Sequence, residues 1–222
     1  MLRVGLTGDL GSGKSAVAAM LAARGAVILS SDEMARAMMS PGEKVYDKIV
    51  AHFGPEVLAA DRTLDRRKLA TLAFDPEQPR IAELNAIVHP AVIAAQAEQI
   101  AALAGTHTIL VIESALIFSA QTAAGVKPWR ERFDRILLVT APERDKIARF
   151  VERVAAGRKL SGPERVAVEN DAIRRLRVQH QSAEHAAECL VIPNDGTLAQ
   201  LEQKVDAAWR ELARLEHAHP TS

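Results

Sequence analysis

Lys14 and Ser15 stand directly after Gly13, and together with Gly8 they fill the pattern G-x-x-x-x-G-K-[ST] without a gap (G-D-L-G-S-G-K-S). An ammonium and a hydroxyl at the end of a glycine-rich loop suit phosphate chemistry. Lys14 would bring a point charge to the outer phosphates of a nucleotide, and Ser15 would offer an oxygen to magnesium. Gly8, Gly11 and Gly13 let the backbone take positive φ, which turns N–H groups inward around phosphate oxygens at a helix start. A chance glycine-rich turn would match the same letters. The flanks argue against it, because an apolar run precedes the loop and a helical pattern (A-V-A-A-M-L-A-A-R-G) follows.

Other residues of chemical interest lie near the ends of apolar runs. Asp32, in S-S-D-E-M-A-R, comes just past the second run and would lie beside the phosphate loop if strands one and two were close together. As a helix-capping residue for a helix starting at Glu33 it would be explained equally well. Glu113 ends a third run, where an acidic residue can join a magnesium shell, or can simply be a solvated carboxylate. Arg149 and Arg153 are four apart and so share one helix face. Asn194, in V-I-P-N-D-G, could read an adenine or only form a turn. His89 precedes Pro90, which is expected to kink or restart its helix.

These groups need a scaffold that brings strand ends together. Apolar runs at 4–6, 27–29, 109–112, 136–139 and 190–192 read as five buried parallel strands, and the segments between them are helical. That pattern predicts a doubly wound α/β sheet with ligands beyond the strands' carboxyl ends. Residues 41–105 are almost wholly helical and exceed what a crossover needs. They read as an insertion that closes over a substrate, with an elaborate crossover as the plainer alternative. A basic helical stretch at 143–186 reads as a lid, although most of its arginines have acidic neighbours to pair with. The expected plan is one domain over 1–222, with its core at 1–40, 106–142 and 187–222.

Bulk properties narrow the partners. Basic and acidic residues number 28 each, so no overall field draws the chain to nucleic acid or to an anionic membrane. The lone Cys189 lies in an apolar run and reads as a small buried hydrophobe, in keeping with a reducing compartment. No apolar run is long enough to span a bilayer, and no targeting segment is visible, so a cytoplasmic protein is expected, monomeric or weakly self-associating. His217 and His219 read as part of a frayed tail.

Taken in order, the motifs resemble those of the dephospho-CoA kinase family over about nine-tenths of the chain. After the P-loop come the aspartate of S-S-D-E-M-A-R, then P-G-x-x-x-Y, H-F-G, L-D-R-R-x-L and L-N-x-x-x-H-P, which span Pro41 to Pro90. R-L-x-x-Q at Arg175 to Gln179 and V-I-x-N-x-G at Val191 to Gly196 are similar to the family's lid end and adenine-side turn. The resemblance implies a P-loop kinase with a five-stranded parallel sheet, a helical CoA-binding insertion and a helical lid. It also implies ATP as phosphoryl donor, Mg2+ as cofactor and the ribose 3′-hydroxyl of dephospho-CoA as acceptor. On that footing Asp32 is the expected general base, with Lys14 and Arg149 as catalytic cations. The expected ATP contacts are Gly8, Asp9, Leu10, Gly11, Ser12, Gly13, Lys14, Ser15, Ala16, Arg149, Arg153 and Asn194. Thr7, Asp32, His89 and Glu113 are expected on the substrate side, and Ser15 at the metal, with Glu113 joining through a water.

The chain also departs from the family pattern. Ser30 replaces the first aspartate of D-A-D, Glu113 replaces an aspartate, Ser119 replaces a later glutamate, and the basic residues after the lid's glutamine are missing. Two other readings keep the loop: a kinase acting on a nucleoside or another small alcohol, and a nucleotide-binding switch that transfers nothing. A guanine-reading N-K-x-D motif, which a switch would favour, is absent.

Overall fold

A computed structural model describes residues 1–75, 77–106, 108–118, 127–178 and 184–218. Ser119, Gln179 and His219, singled out above, lie outside these residues. The strands are β1 (Leu2–Thr7), β2 (Val27–Ser30), β3 (Ile109–Glu113), β4 (Arg135–Thr140) and β5 (Leu190–Pro193). They form one sheet in the order β2-β3-β1-β4-β5, with β1 parallel to β3 and β4, and β4 parallel to β5. This is the expected parallel α/β architecture. One detail differs from the simplest picture, since β3 lies between β1 and β2 and the first two strands are not neighbours. The chain thus leaves β1 toward one edge and returns to its other side with β4. In sheets of this kind ligands bind beyond the strands' carboxyl ends where the strand order reverses, and here the phosphate loop begins at the carboxyl end of β1.

Side-chain alternation explains why β1 sits at the centre. Leu2, Val4 and Leu6 share one face and are fully buried among Val17 and Leu21 of α1 (Lys14–Ala22) and Leu201, Val205 and Leu212 of the last helix. On the opposite face a Cβ at Gly5 would come within 2.6 Å of the Ile136 side chain and 2.8 Å of that of Ile117, so a larger residue would require both isoleucines to shift. With both faces covered, the strands read as continuous apolar runs.

Between β2 and β3 come α2 (Ser31–Met38), α3 (Lys44–Phe53), α4 (Arg66–Ala73) and α5 (Ile81–Ala102). Further along are the short α6 (Trp129–Arg132), then α7 (Glu143–Ala155), α8 (Gly162–Val178) and α9 (Leu198–Ala218). α5 runs through Pro90 without interruption, so the proline neither ends nor restarts it. His217 belongs to α9, its Nδ1 2.6 Å from the carbonyl of Ala213, and is not frayed. Cys189 is only half-buried, its thiol donating to the carbonyl of His185 at 3.1 Å.

Two compact units result. One comprises Met1–Leu29, Leu103–Ser119 and Pro128–Ser222, and the other is built on Ser30–Ala102. The second has its own apolar core of Val45, Ile49, Phe53, Val57, Leu69, Val88 and Val92. It starts earlier than residue 41 because α2 packs on α3 and α5.

Candidate active site

The loop between β1 and α1 turns on Gly8, Gly11 and Gly13, at φ of 149°, 71° and 99°. A side chain at Gly11 would collide with the backbone of Lys146, and one at Gly13 with the amide of Asn194. Glycine is therefore demanded here both by backbone conformation and by close approach. Gly13 is the left-handed N-cap of α1 and offers no side-chain cap. A helix N-terminus in that condition is suited to hold an anion. Lys14 curls back over the loop, its Nζ donating to the carbonyls of Gly8 at 2.8 Å and Asp9 at 3.1 Å. Thr7 and Ser12 are fully buried, and their hydroxyl oxygens have no hydrogen-bond partner among the described residues.

In the first turn of α1, the Ser15 hydroxyl donates to Oε1 of Glu113 at 2.8 Å. β1 and β3 are paired in register, Leu6 opposite Glu113, which brings the end of β3 level with the start of the loop. Hydroxyl and carboxylate oxygens are hard donors of the kind magnesium takes, and that ion fills its remaining positions with water and substrate phosphates. The pair thus fits the metal. Among the described residues no group of three or more His, Cys, Asp or Glu side chains could cage an ion without such help.

Two helical cations meet the loop from α7. Arg149 donates to the carbonyls of Gly11 at 3.3 Å and Ser12 at 3.4 Å, and to Asn194 at its backbone oxygen (3.2 Å) and Oδ1 (3.4 Å). Asn194 is buried and donates its own amide to the Ser12 carbonyl at 2.8 Å. Its side chain is thus spent on bracing the loop. Lys146 forms an ion pair with Asp9. Arg153 goes elsewhere, its guanidinium 5.3 Å from the ring centre of Phe150. Helical spacing puts Arg149 and Arg153 on one face, yet the cation that joins Arg149 at the loop is Lys146, one turn before it.

The remaining two candidates are carried by the helical unit. Ser30, at the end of β2, caps α2 by accepting from the Glu33 N–H at 3.3 Å. Asp32 is therefore not the cap, and the helix begins at Ser31 rather than Glu33. Its carboxylate is exposed and without a hydrogen-bond or ion-pair partner among the described residues. The turn that carries it is held from α5, where buried Gln96 donates to the Ser31 hydroxyl at 2.8 Å. Gln96 carries no distinct signal in the sequence, since Gln99 and His89 lie on the same side of α5; it stands out only as the polar member of the three residues that the helix buries, with Val88 and Val92. His89, also on α5, is half-buried, and desolvation pulls its pKa below the usual imidazole value.

A glycine loop with its lysine, a serine beside a strand-end carboxylate and cations on a following helix are the parts that phosphoryl transfer requires. Comparison with known proteins agrees. The family model described as dephospho-CoA kinase matches residues 2–200. The dephospho-CoA kinase of Thermobifida fusca is 35% identical over 98% of this chain and 100% of its own, and that of Moorella thermoacetica 38% identical over 96% and 93%. A solved structure from Thermus thermophilus superposes with a TM-score of 0.70 at 33% identity, covering 95% of this chain and 97% of that one. The dephospho-CoA kinase of Campylobacter jejuni shares the fold, with a TM-score of 0.59 at 19% identity over 96% and 97%. By family model, relatives and site geometry alike, this chain belongs to the dephospho-CoA kinase family.

Proposed function

We propose that this kinase carries out the last step of coenzyme A synthesis, phosphorylation of dephospho-CoA by ATP, with the phosphate loop as donor site and Asp32 as general base. The 3′-hydroxyl of the ribose loses its proton to the Asp32 carboxylate as its oxygen attacks the γ-phosphorus. The bond to the β–γ bridging oxygen breaks, and ADP leaves. The loop amides and Lys14 hold the β- and γ-phosphates and balance charge that develops on the equatorial oxygens. Ser15 and Glu113 would hold Mg2+, which would supply positive charge to neutralise the donor phosphates. Arg149 fixes the loop's shape through its carbonyls and, together with Arg153, would meet ATP from the lid. His89 and Thr7 complete the substrate side.

The observation that carries this reading is the Ser15–Glu113 hydrogen bond beside Lys14, a hydroxyl and a carboxylate set next to a phosphate loop. The exposed, unpartnered Asp32 carboxylate supports its role as base, since its oxygens are open to a hydrogen bond from an incoming alcohol. Balanced net charge supports a cytoplasmic enzyme that needs neither nucleic acid nor membrane and works as a monomer or weak oligomer. No helix among the described residues is long and apolar enough to cross a membrane.

Asp32→Asn tests the base. ATP binding should stay near the wild-type level while kcat falls by roughly 10²- to 10⁴-fold. Equal turnover in the variant would remove Asp32 from the mechanism.

A further inference from the structure

Within the phosphate loop, Asp9 is an acidic side chain in a structure whose business is to hold an anion. Its Oδ2 pairs with Lys146 Nζ, and its Oδ1 is buried with no hydrogen-bond partner among the described residues. The pair is sheltered, the Lys146 side chain being 14% and that of Asp9 22% exposed. Shelter of that degree weakens screening by water and salt, so the two charges act on each other and on a nearby phosphate more strongly than a surface pair would. Lys14 is engaged on the same residue, but through the Asp9 carbonyl at 3.1 Å. Lys146 is the side chain that answers the carboxylate. Its backbone also abuts Gly11, where no Cβ could fit, so the lysine's place over the loop is fixed by packing as well as by charge.

We propose that Lys146 is a positioning residue for the nucleotide's phosphates, acting through Asp9: it neutralises the one carboxylate in the loop and ties α7 to it, so that an acidic loop can still accept a triphosphate. The proposal rests on the reading of residues 8–15 as the donor site. Without Lys146, the Asp9 charge faces the incoming phosphates uncompensated and repels them. Asp9 and Lys146 are thus a matched pair, each tolerable only with the other. Arg149, one turn further along, fastens the same loop by its carbonyls and leaves the Asp9 side chain to Lys146.

The test is a double-mutant cycle on the full-length enzyme, reading the KM for ATP and the KM for dephospho-CoA. Lys146→Met should raise the KM for ATP by roughly tenfold and leave that for dephospho-CoA within about twofold. Lys146→Arg, which keeps the charge, should stay close to wild type. In Asp9→Asn/Lys146→Met the carboxylate is gone too, and the KM for ATP should return to within about threefold of wild type. A double variant as impaired as Lys146→Met would overturn the proposal, because the lysine would then touch phosphate itself or act only by packing. An unchanged KM for ATP in Lys146→Met, even with a lowered melting temperature, would overturn it as well. Lys14→Met separates the two levels: if that variant binds ATP normally, the donor-site reading fails, whatever Lys146 does.

Discussion

At the scale of single residues, the Ser15–Glu113 pair is the most informative contact, because the hydrogen bond joins two oxygens that would both be wanted at a metal. Glu113→Gln keeps the size and loses the charge, and it should raise the magnesium concentration needed for half-maximal activity by about tenfold. A titration of activity against magnesium at fixed ATP checks this, and an unshifted curve would take Glu113 out of the metal shell. The phosphate loop was legible in the sequence because its three glycines stand where φ is positive, a local backbone demand that shows in the residue types themselves. Asp9–Lys146 was not legible. The two residues are far apart in the chain, and their meeting depends on where α7 docks. The roles of Arg149 and Arg153 were blurred for a related reason, since helical spacing puts both on one face but cannot say that one reaches loop carbonyls and the other a phenylalanine ring.

At the scale of elements, strands and helices followed from their apolar periods, whereas order and termini depended on details that periodicity does not carry. That β3 would enter between β1 and β2 is a matter of which crossover packs, and a list of apolar runs is silent on it. Capping shows the same limit. A serine and an aspartate two residues apart are both good caps, and Ser30 took the position, which left the Asp32 carboxylate uncommitted. Pro90 is expected to kink or restart α5, yet a proline removes only one helical hydrogen bond, and the helix carries on through it with Val88 and Val92 anchored in the apolar core on either side. α7 ends at Ala156, a non-glycine residue at φ 48°, where L-residues with a Cβ are strained. Ala156→Gly should therefore stabilise the protein by about 0.5–1 kcal/mol, visible as a small rise in the denaturation midpoint. A lower midpoint would show that the left-handed cap costs little here.

At the scale of the whole molecule, the sequence divides labour between two compact units. The sheet unit, with Leu2, Val4 and Leu6 sealed under α1 and α9, holds the loop, its lysine and the strand-end glutamate. The helical unit has its own core and carries Asp32 and His89. Under the proposed roles, the donor-site groups and the acceptor-side groups fall in different compact units, which would suit a reaction in which water must be kept from the γ-phosphate until the acceptor alcohol is in place. The even charge balance fits small partners rather than polymers. In the proposed reaction all these parts serve one transfer, from ATP to the 3′-hydroxyl of dephospho-CoA. Phosphorus NMR of the purified protein with ATP, magnesium and dephospho-CoA reads that transfer itself. One new 3′-phosphomonoester, that of CoA, should appear for each ADP formed; ADP appearing with no CoA, or faster transfer to a free nucleoside than to dephospho-CoA, would refute it.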